Sequence, residues 1–285
     1  MKAKGLGFYL LLLPFLLWFV LLIVLPHMQM LELSLIKRDY AAGDSVGGYQ
    51  YQQFFGEPLY WRTLMRTVWM SLLATFITLL VSFPVAFFIA KVAKGKSKRL
   101  LLLTCLLPFW VSELVRTYGW MILLRESGVI SKGLMALGLT EQPIEFLYND
   151  VSMLIGLVYT SMLFMVVPLV STLEGLDKSL IEAGYDLGGN GWDVTRSIIV
   201  PYAMPGIVSG CIMVFMLCLG NYLTPRLLGG KDSLWFTEQI FTQFITRFNW
   251  ELGAAFGVIL LLVSSFVVAL GLKLSGQSFS RTLGR

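Results

Sequence analysis

Of 285 residues, 56% are hydrophobic and only 14% charged, against roughly 25% charged in an average soluble domain. So few charges cannot cover a water-facing surface of this size. Disorder, a collagen-like chain and a disulfide-rich secreted domain fit no better, and the composition is that of an integral membrane protein. The formal net charge of +5 then has to find its place in the topology.

Six apolar runs reach the roughly 20 residues that a helix needs to cross a bilayer. They are 6–25, 68–90, 100–124, 151–173, 200–225 and 252–272. None alternates as a barrel strand would, so the expected fold is all-α with six transmembrane helices in one domain, 1–285. The first run follows Lys2 and Lys4 and superficially resembles a secretory signal. It is about twice a normal signal core, and Pro26-His27-Met28 is no small-residue cleavage site, so it reads as a retained anchor. His27 reads as an interfacial side chain. Cys105, Cys211 and Cys218 sit in apolar runs without metal or disulfide spacing.

Lys and Arg set the orientation. With the N-terminus inside, the cytoplasmic segments are 1–5, 91–99, 174–199 and 273–285. These hold 12 of the 22 basic residues, densest at Lys91, Lys94, Lys96, Lys98 and Arg99. Both termini are therefore expected in the cytoplasm, and the positive charge needs no nucleic acid to explain it. Three stretches remain outside. The first, 26–67, holds Asp39, Gly43, Asp44, Gly47 and Gly48. The second, 125–150, has apolar positions at helical spacing (Val129, Ile130, Leu134, Leu137), as in an interfacial helix. The third, 226–251, carries Trp235, Phe236, Phe241, Phe244, Phe248 and Trp250, read as a water–lipid boundary or a docking surface for another protein.

The 174–199 loop differs from the other cytoplasmic connections, with five acidic and two basic residues. Asp177 can cap a helix that puts Leu176, Leu180, Ala183 and Leu187 on one face. Gly188 and Gly189 can stop it. Asn190 can cap a second helix through Trp192 to about Val200, with Pro201 at the junction with the fifth run. Glu182-Ala183-Gly184-Tyr185-Asp186-Leu187-Gly188, nine residues, then Ile198-Ile199-Val200-Pro201 resembles the E-A-A-x3-G-x9-I-x-L-P signature of permease subunits of binding-protein-dependent ABC importers. Gly184 stands where the signature has alanine and Val200 where it has leucine. Pro108-Phe109-Trp110, Arg116-Thr117-Tyr118-Gly119, Leu157-Val158-Tyr159, Phe164 to Pro168, Gly220-Asn221-Tyr222, Leu227 to Gly230 and Gly253-Ala254-Ala255 are similar to the first permease subunit of spermidine/putrescine importers. That branch also includes permeases for opines and other small nitrogenous compounds.

The resemblance implies a bacterial inner-membrane permease that pairs with a sister permease, two copies of a cytoplasmic ABC ATPase and a periplasmic binding protein. It implies that Glu182, Ala183, Gly184, Asp186, Leu187, Gly188 and Pro201 belong to the ATPase-coupling segment. ATP and Mg would be used by the partner ATPase, with no cofactor, metal or enzymatic chemistry in this chain. The residues agree. Gly95-Lys96-Ser97 ends like a P-loop, but Ala90 stands where its first glycine belongs, and Leu274-Ser275-Gly276-Gln277 lacks a glycine of the ABC signature.

Charge inside the spans marks candidate substrate contacts. Glu113 and Arg116, three apart, can pair on one helix face, either as a self-neutralising pair or lining a path. Trp110, Tyr118, Tyr159, Asn221 and Tyr222 can add cation–π or polar contacts. Pro84, Pro108 and Pro168 are expected to kink their helices. Gly206/Gly210 and Gly253/Gly257 favour close packing, within the chain or against the sister subunit. An ion-coupled secondary transporter would need more buried ionisable groups, and often repeats, than the sequence holds.

Overall fold

A computed structural model describes residues 6–37 and 45–275. Lys2, Lys4, Asp39, Gly43, Asp44 and the stretch 276–285 lie outside the described residues. The chain is mostly helical. Among the described residues, five helices are long and apolar enough to cross a membrane: Leu11–Leu35, Pro58–Val92, Asp150–Glu174, Gly191–Gly220 and Trp250–Lys273. Two further helical stretches, Gly95–Trp110 and Glu113–Ala136, are bent 94° to each other and together make the sixth candidate span.

Three expected runs are redrawn. The run 100–124 is not one helix. A 3-10 turn over Leu107–Trp110 contains Pro108, Val111 and Ser112 are extended, and a new helix starts at Glu113. Proline has no N–H for the helical ladder, so the ladder ends beside it. The run 200–225 stops as a helix at Gly220; Asn221 is extended, and a separate short helix covers Leu223–Leu228. The first run continues past Pro26 to Leu35, because a π-turn over Val20–Val24 precedes the proline. The same device, a π-turn over Thr195–Ile199, carries the chain through Pro201. Pro201 is therefore not a junction between two helices. A widened turn inserts a residue and absorbs the donor that proline lacks.

The chain divides into two compact units, each described by itself. One comprises the chain up to Arg62 with Glu238–Val263. In it Ile36–Lys37 pairs antiparallel with Ser45–Val46. Phe54 and Tyr60 meet the Phe256 ring edge-on, with centroids 5.5 and 4.8 Å away. Gly253 lies under the Phe244 ring, where a Cβ would stand 2.9 Å from ring carbons, and a Cβ at Gly257 would stand 2.9 Å from Met30 Sδ.

The second unit comprises Thr63–Thr237 and the chain from Ser264. Its core is the helix pair 150–174 and 191–220, with Met165, Leu169, Leu173, Ala203 and Val214 fully buried. Lipid is as apolar as leucine, so close packing rather than water exclusion must hold such helices together. A Cβ at Gly206 would stand 2.6 Å from Thr172 Oγ1, and one at Gly210 2.7 Å from Met165 Sδ. Both glycine pairs are thus used inside this chain. Along the 58–92 helix, Thr67, Thr75 and Thr78 are buried but donate to carbonyls one turn back, at 2.7–2.8 Å, so their hydroxyls cost little away from water. Trp235 and Phe236, expected at a lipid boundary or on a docking surface, are completely buried, and the Phe236 N–H donates to Thr67 Oγ1.

Candidate functional site

Two places in the second unit bring the sequence candidates together. The first lies where two helix breaks face each other. Glu113 opens the helix after the 111–112 break, and Asn221 follows the end of the 191–220 helix. The Asn221 carboxamide donates to Glu113 Oε1 at 2.7 Å, and Thr224 Oγ1 lies 3.5 Å from the same oxygen. Asn221 Oδ1 accepts from the Thr224 N–H at 2.9 Å, capping the short helix, and the Asn221 carbonyl accepts from Thr237 Oγ1. One asparagine therefore starts a helix, anchors a loop and holds a carboxylate.

Around this contact is a cavity of about 470 Å³, lined by Phe109, Glu113, Arg116, Thr160, Ser161, Phe164, Asn221 and Tyr222 together with apolar residues of 216–223. Four sequence candidates meet there: Glu113, Arg116, Asn221 and Tyr222. The expected Glu113–Arg116 pair does not form, because Asn221 takes the carboxylate, and the buried Nε of Arg116 has no hydrogen-bond partner. Tyr159 lines a second, smaller cavity of about 100 Å³ and meets the Trp120 ring edge-on. Trp110 and Tyr118 are exposed and do not line the larger cavity. Sequence reading did not single out Thr160, Ser161 or Thr224. The Asn-x-x-Thr spacing of a helix cap at 221–224 was the available signal for Thr224.

The Asp150 end of the 150–174 helix is pinned nearby. Arg66 pairs with Asp150 and donates to the Asp232 and Leu234 carbonyls at 3.0 Å, while Ser233 donates to Asp150 at 2.7 Å. The opposite end of that helix is tied to the basic cluster. Lys98 pairs with Glu174 at 2.8 Å, and Lys91 donates to the Glu174 and Leu176 carbonyls. An ammonium there satisfies carbonyls that the ended helix leaves without donors.

The second place is the loop that follows. Asp177 Oδ1 accepts from the Ser179 N–H at 3.0 Å and caps the Lys178–Asp186 helix; that bond to the charged form holds the Asp177 carboxyl below its ordinary range. Gly188 has φ +83°, a conformation that costs an L-residue about 1–2 kcal/mol, and nothing lies within 4 Å of where its Cβ would be. Asn190 and Asp193 form a reciprocal capping box that starts the 191–220 helix. Gly184 lies against that helix: a Cβ there would meet Ile198 Cδ1 at 2.7 Å and Val194 Cγ2 at 3.1 Å. Glycine where the signature has alanine lets the two loop helices close up. Leu187 is 89% exposed and Trp192 71%, and Leu180, Ala183 and Tyr185 are exposed beside them. Glu182 and Asp186 are exposed as well.

Long apolar helices, two of them broken around a cavity, describe a membrane permease. The comparisons make the class definite. The model of the binding-protein-dependent transport system inner membrane component family matches residues 82–281, and the chain belongs to that family. It is 35% identical over 252 residues to the spermidine/putrescine transport system permease protein PotB of Salmonella typhimurium (strain SL1344), covering 88% of both chains. It is also 35% identical to PotB of Escherichia coli (strain K12), covering 88% of this chain and 91% of that one. Its fold is similar to a chain of a bacterial alginate ABC transporter crystallised with an alginate pentasaccharide-bound periplasmic protein, with TM-score 0.77 and 17% identity, covering 97% and 95%. The protein is an inner-membrane permease of the ABC importer type.

Proposed function

We propose that this permease moves a polyamine of the spermidine or putrescine class, received from a periplasmic binding protein. The observation that carries the reading is the Glu113 carboxylate in a cavity with Phe109, Phe164 and Tyr222. An ammonium gains from a carboxylate and from aromatic faces together, and the PotB relatives carry spermidine and putrescine in their names. A single carboxylate is enough, since a path that bound its cargo tightly would not release it.

In this reading both termini and the 174–199 loop are cytoplasmic. The Lys91 and Lys98 contacts at Glu174 support it, because they gather the basic cluster at the loop end of the 150–174 helix. The exposed Leu180, Ala183 and Leu187, with Glu182 and Asp186 exposed on the same helix and Trp192 just after it, then offer a docking surface to one of two ABC ATPases. A sister permease completes the translocation path. Pro201, inside a continuous helix that starts at Gly191, carries the loop's motion directly into the fifth span. The bundle can then turn as a rigid body while ATP and Mg act in the ATPase. This chain supplies shape and charge, and no chemistry.

Arg116 in the same cavity favours a second reading, a small nitrogenous solute with a carboxylate, such as an opine or amino-acid derivative. Purified importer in liposomes, given its binding protein and ATP inside, separates the two. Radiolabelled spermidine should accumulate and unlabelled putrescine should compete. Accumulation of an opine with no spermidine uptake would replace the first reading by the second.

A further inference from the structure

We propose that a groove on the 125–145 segment is a headgroup site for a zwitterionic phospholipid of the phosphatidylethanolamine type. The inference is independent of the cargo and rests only on placing that segment at the outer face of the bilayer. The groove has a volume of about 690 Å³, and its lining includes Arg125, Glu126, Lys132, Met135, Pro143 and Glu145. Its frame is fixed by short contacts. Arg125 follows the Glu113–Leu124 helix, and its carbonyl accepts from the Gly128 N–H at 2.7 Å. A Cβ at Gly128 would stand 2.4–2.8 Å from the carbonyl oxygens of Leu123, Ile122 and Arg125, so only glycine lets the chain double back there. The Val129–Ala136 helix comes next, and its buried Ser131 hydroxyl accepts from the Ile144 N–H at 2.9 Å. The Phe146 N–H donates to the Leu124 carbonyl at 3.1 Å. Turn, helix and returning strand are thus tied to one another, and the groove between them exists before anything fills it.

The charges around it balance but do not pair. Two cations and two carboxylates cancel, yet none of these four side chains has a hydrogen bond or ion pair with another described residue. Elsewhere in the same unit opposite charges do close, Arg66 on Asp150 and Lys98 on Glu174. A ligand carrying both signs on one short frame answers all four groups at once. Its phosphate takes Arg125 and Lys132, and its ammonium takes Glu126 and Glu145. A purely anionic headgroup would leave two carboxylates facing it, and a lone cation would leave the guanidinium and the ammonium unmatched. The surroundings favour a lipid over a soluble zwitterion. With the Glu113–Leu124 helix ending at the outer face, the groove lies at headgroup level. The segment that frames it exposes Val129 at 68%, Leu137 at 75% and Leu139 at 68%. Such apolar surface on an interfacial helix belongs against acyl chains, and charged side chains beside it are where headgroups are held. A free phosphoethanolamine would meet the charges and leave that apolar surface in water.

The test uses the assembled importer, delipidated in detergent. Native mass spectrometry counts bound lipid as dioleoyl phosphatidylethanolamine, phosphatidylcholine or phosphatidylglycerol is titrated in. Wild type should retain phosphatidylethanolamine about tenfold more tightly than phosphatidylcholine, whose quaternary ammonium has no N–H for a carboxylate. Equal retention of the two would overturn the proposal without any variant. The four charged side chains are exposed, so replacing them leaves the frame intact. Glu126→Gln with Glu145→Gln should abolish the preference and improve retention of phosphatidylglycerol. Arg125→Gln with Lys132→Gln should weaken retention of all three lipids. A preference that survives both double variants belongs to another site and sinks the idea. Soluble phosphoethanolamine is the second arm: it should displace the lipid only at a concentration at least about a hundredfold higher. Displacement at equal concentration would make the groove a site for a soluble phosphate ester instead. The last arm is affinity for the binding protein in phosphatidylcholine nanodiscs, which should be the same for wild type and both double variants. Weaker docking in the variants with lipid retention unchanged would make the groove a protein-docking face and overturn the headgroup site. None of these results bears on the polyamine reading, which stands or falls by spermidine uptake.

Discussion

The loop at 177–201 and the cavity at 109–223 are held by opposite means. The capping contacts of the loop all lie within five residues in sequence: Asp177 with Ser179, Asn190 with Trp192 and Asp193, and Gly189 with Gly184 across the turn at Gly188. The cavity is closed by a contact between residues 108 apart, Asn221 with Glu113. The loop thus keeps its shape wherever its helices go. The cavity exists only while two helix breaks face each other. On the proposed function the loop is the surface that another subunit grips, which calls for a shape that holds by itself, and the cavity is the part that opens, which calls for a contact that can separate.

The sharpest way to break the loop side is at Gly188. Its Cβ position is open, so size is not the obstacle; the backbone conformation is. Gly188→Val forces a β-branched residue into the left-handed region. At about 2 kcal/mol the required turn becomes roughly thirtyfold less populated. ATP-driven uptake should fall by at least about tenfold with membrane insertion unchanged. Gly188→Asn, which tolerates that conformation, should keep most activity. Equal losses in both variants would show that contact with the ATPase, and not turn geometry, is what glycine provides.

The cavity side is broken next, at Glu113. Gln keeps an oxygen for the Asn221 donor and removes only the charge. Glu113→Gln should slow cationic uptake about tenfold while substrate binding to the binding protein and thermal stability barely change. Glu113→Ala removes the hydrogen bond too, at about 1.5–3 kcal/mol for a bond to a charged group, so its melting temperature should also drop. Unchanged uptake in the Gln variant would take Glu113 out of the path.

The same contrast explains what the sequence made legible. Caps, glycines and the E-A-G-x3-G spacing are local, so the loop could be outlined from residues alone. The six apolar runs were visible for the same reason, although the break at 111–112 was hidden inside one of them: Val111 and Ser112 carry no stop signal stronger than Pro108, three residues before Val111. The partner of Glu113 was not legible. Arg116 was the natural choice at helical spacing, and only the fold reveals that Asn221 is nearer. Nor did any local pattern show that Trp235 and Phe236 are core residues, since their burial comes from packing in the second unit.

A smaller effect is expected at Lys91, which ties the loop to the basic cluster. Its ammonium donates to the Glu174 and Leu176 carbonyls at the end of the 150–174 helix. Lys91→Met keeps the apolar stem and removes the donor, worth about 0.3–1 kcal/mol at an exposed helix end. Amide hydrogen exchange over 172–180 should quicken two- to fivefold, with exchange around the cavity unchanged. Faster exchange throughout the unit would instead make Lys91 a global support.

The smallest effect is the most informative about fit. Gly184→Ala restores the residue that the family signature carries. Alanine should strengthen the Lys178–Asp186 helix by up to about 1 kcal/mol relative to glycine. Against that, its Cβ would stand 2.7 Å from Ile198 Cδ1 and 3.1 Å from Val194 Cγ2. The nearer atom is the end of a flexible side chain, so the isoleucine can yield at a cost similar to the gain. Net stability should stay within about 0.5 kcal/mol of wild type. Adding Ile198→Val removes the obstructing methyl, and the double variant should then recover most of the helix gain, seen as a melting temperature above that of either single variant. If Gly184→Ala alone gave the full gain, the helices would be less tightly apposed than the contact implies. If stability held while uptake fell, the distance between the two loop helices, and not merely their presence, would set how well the ATPase's motion reaches the fifth span.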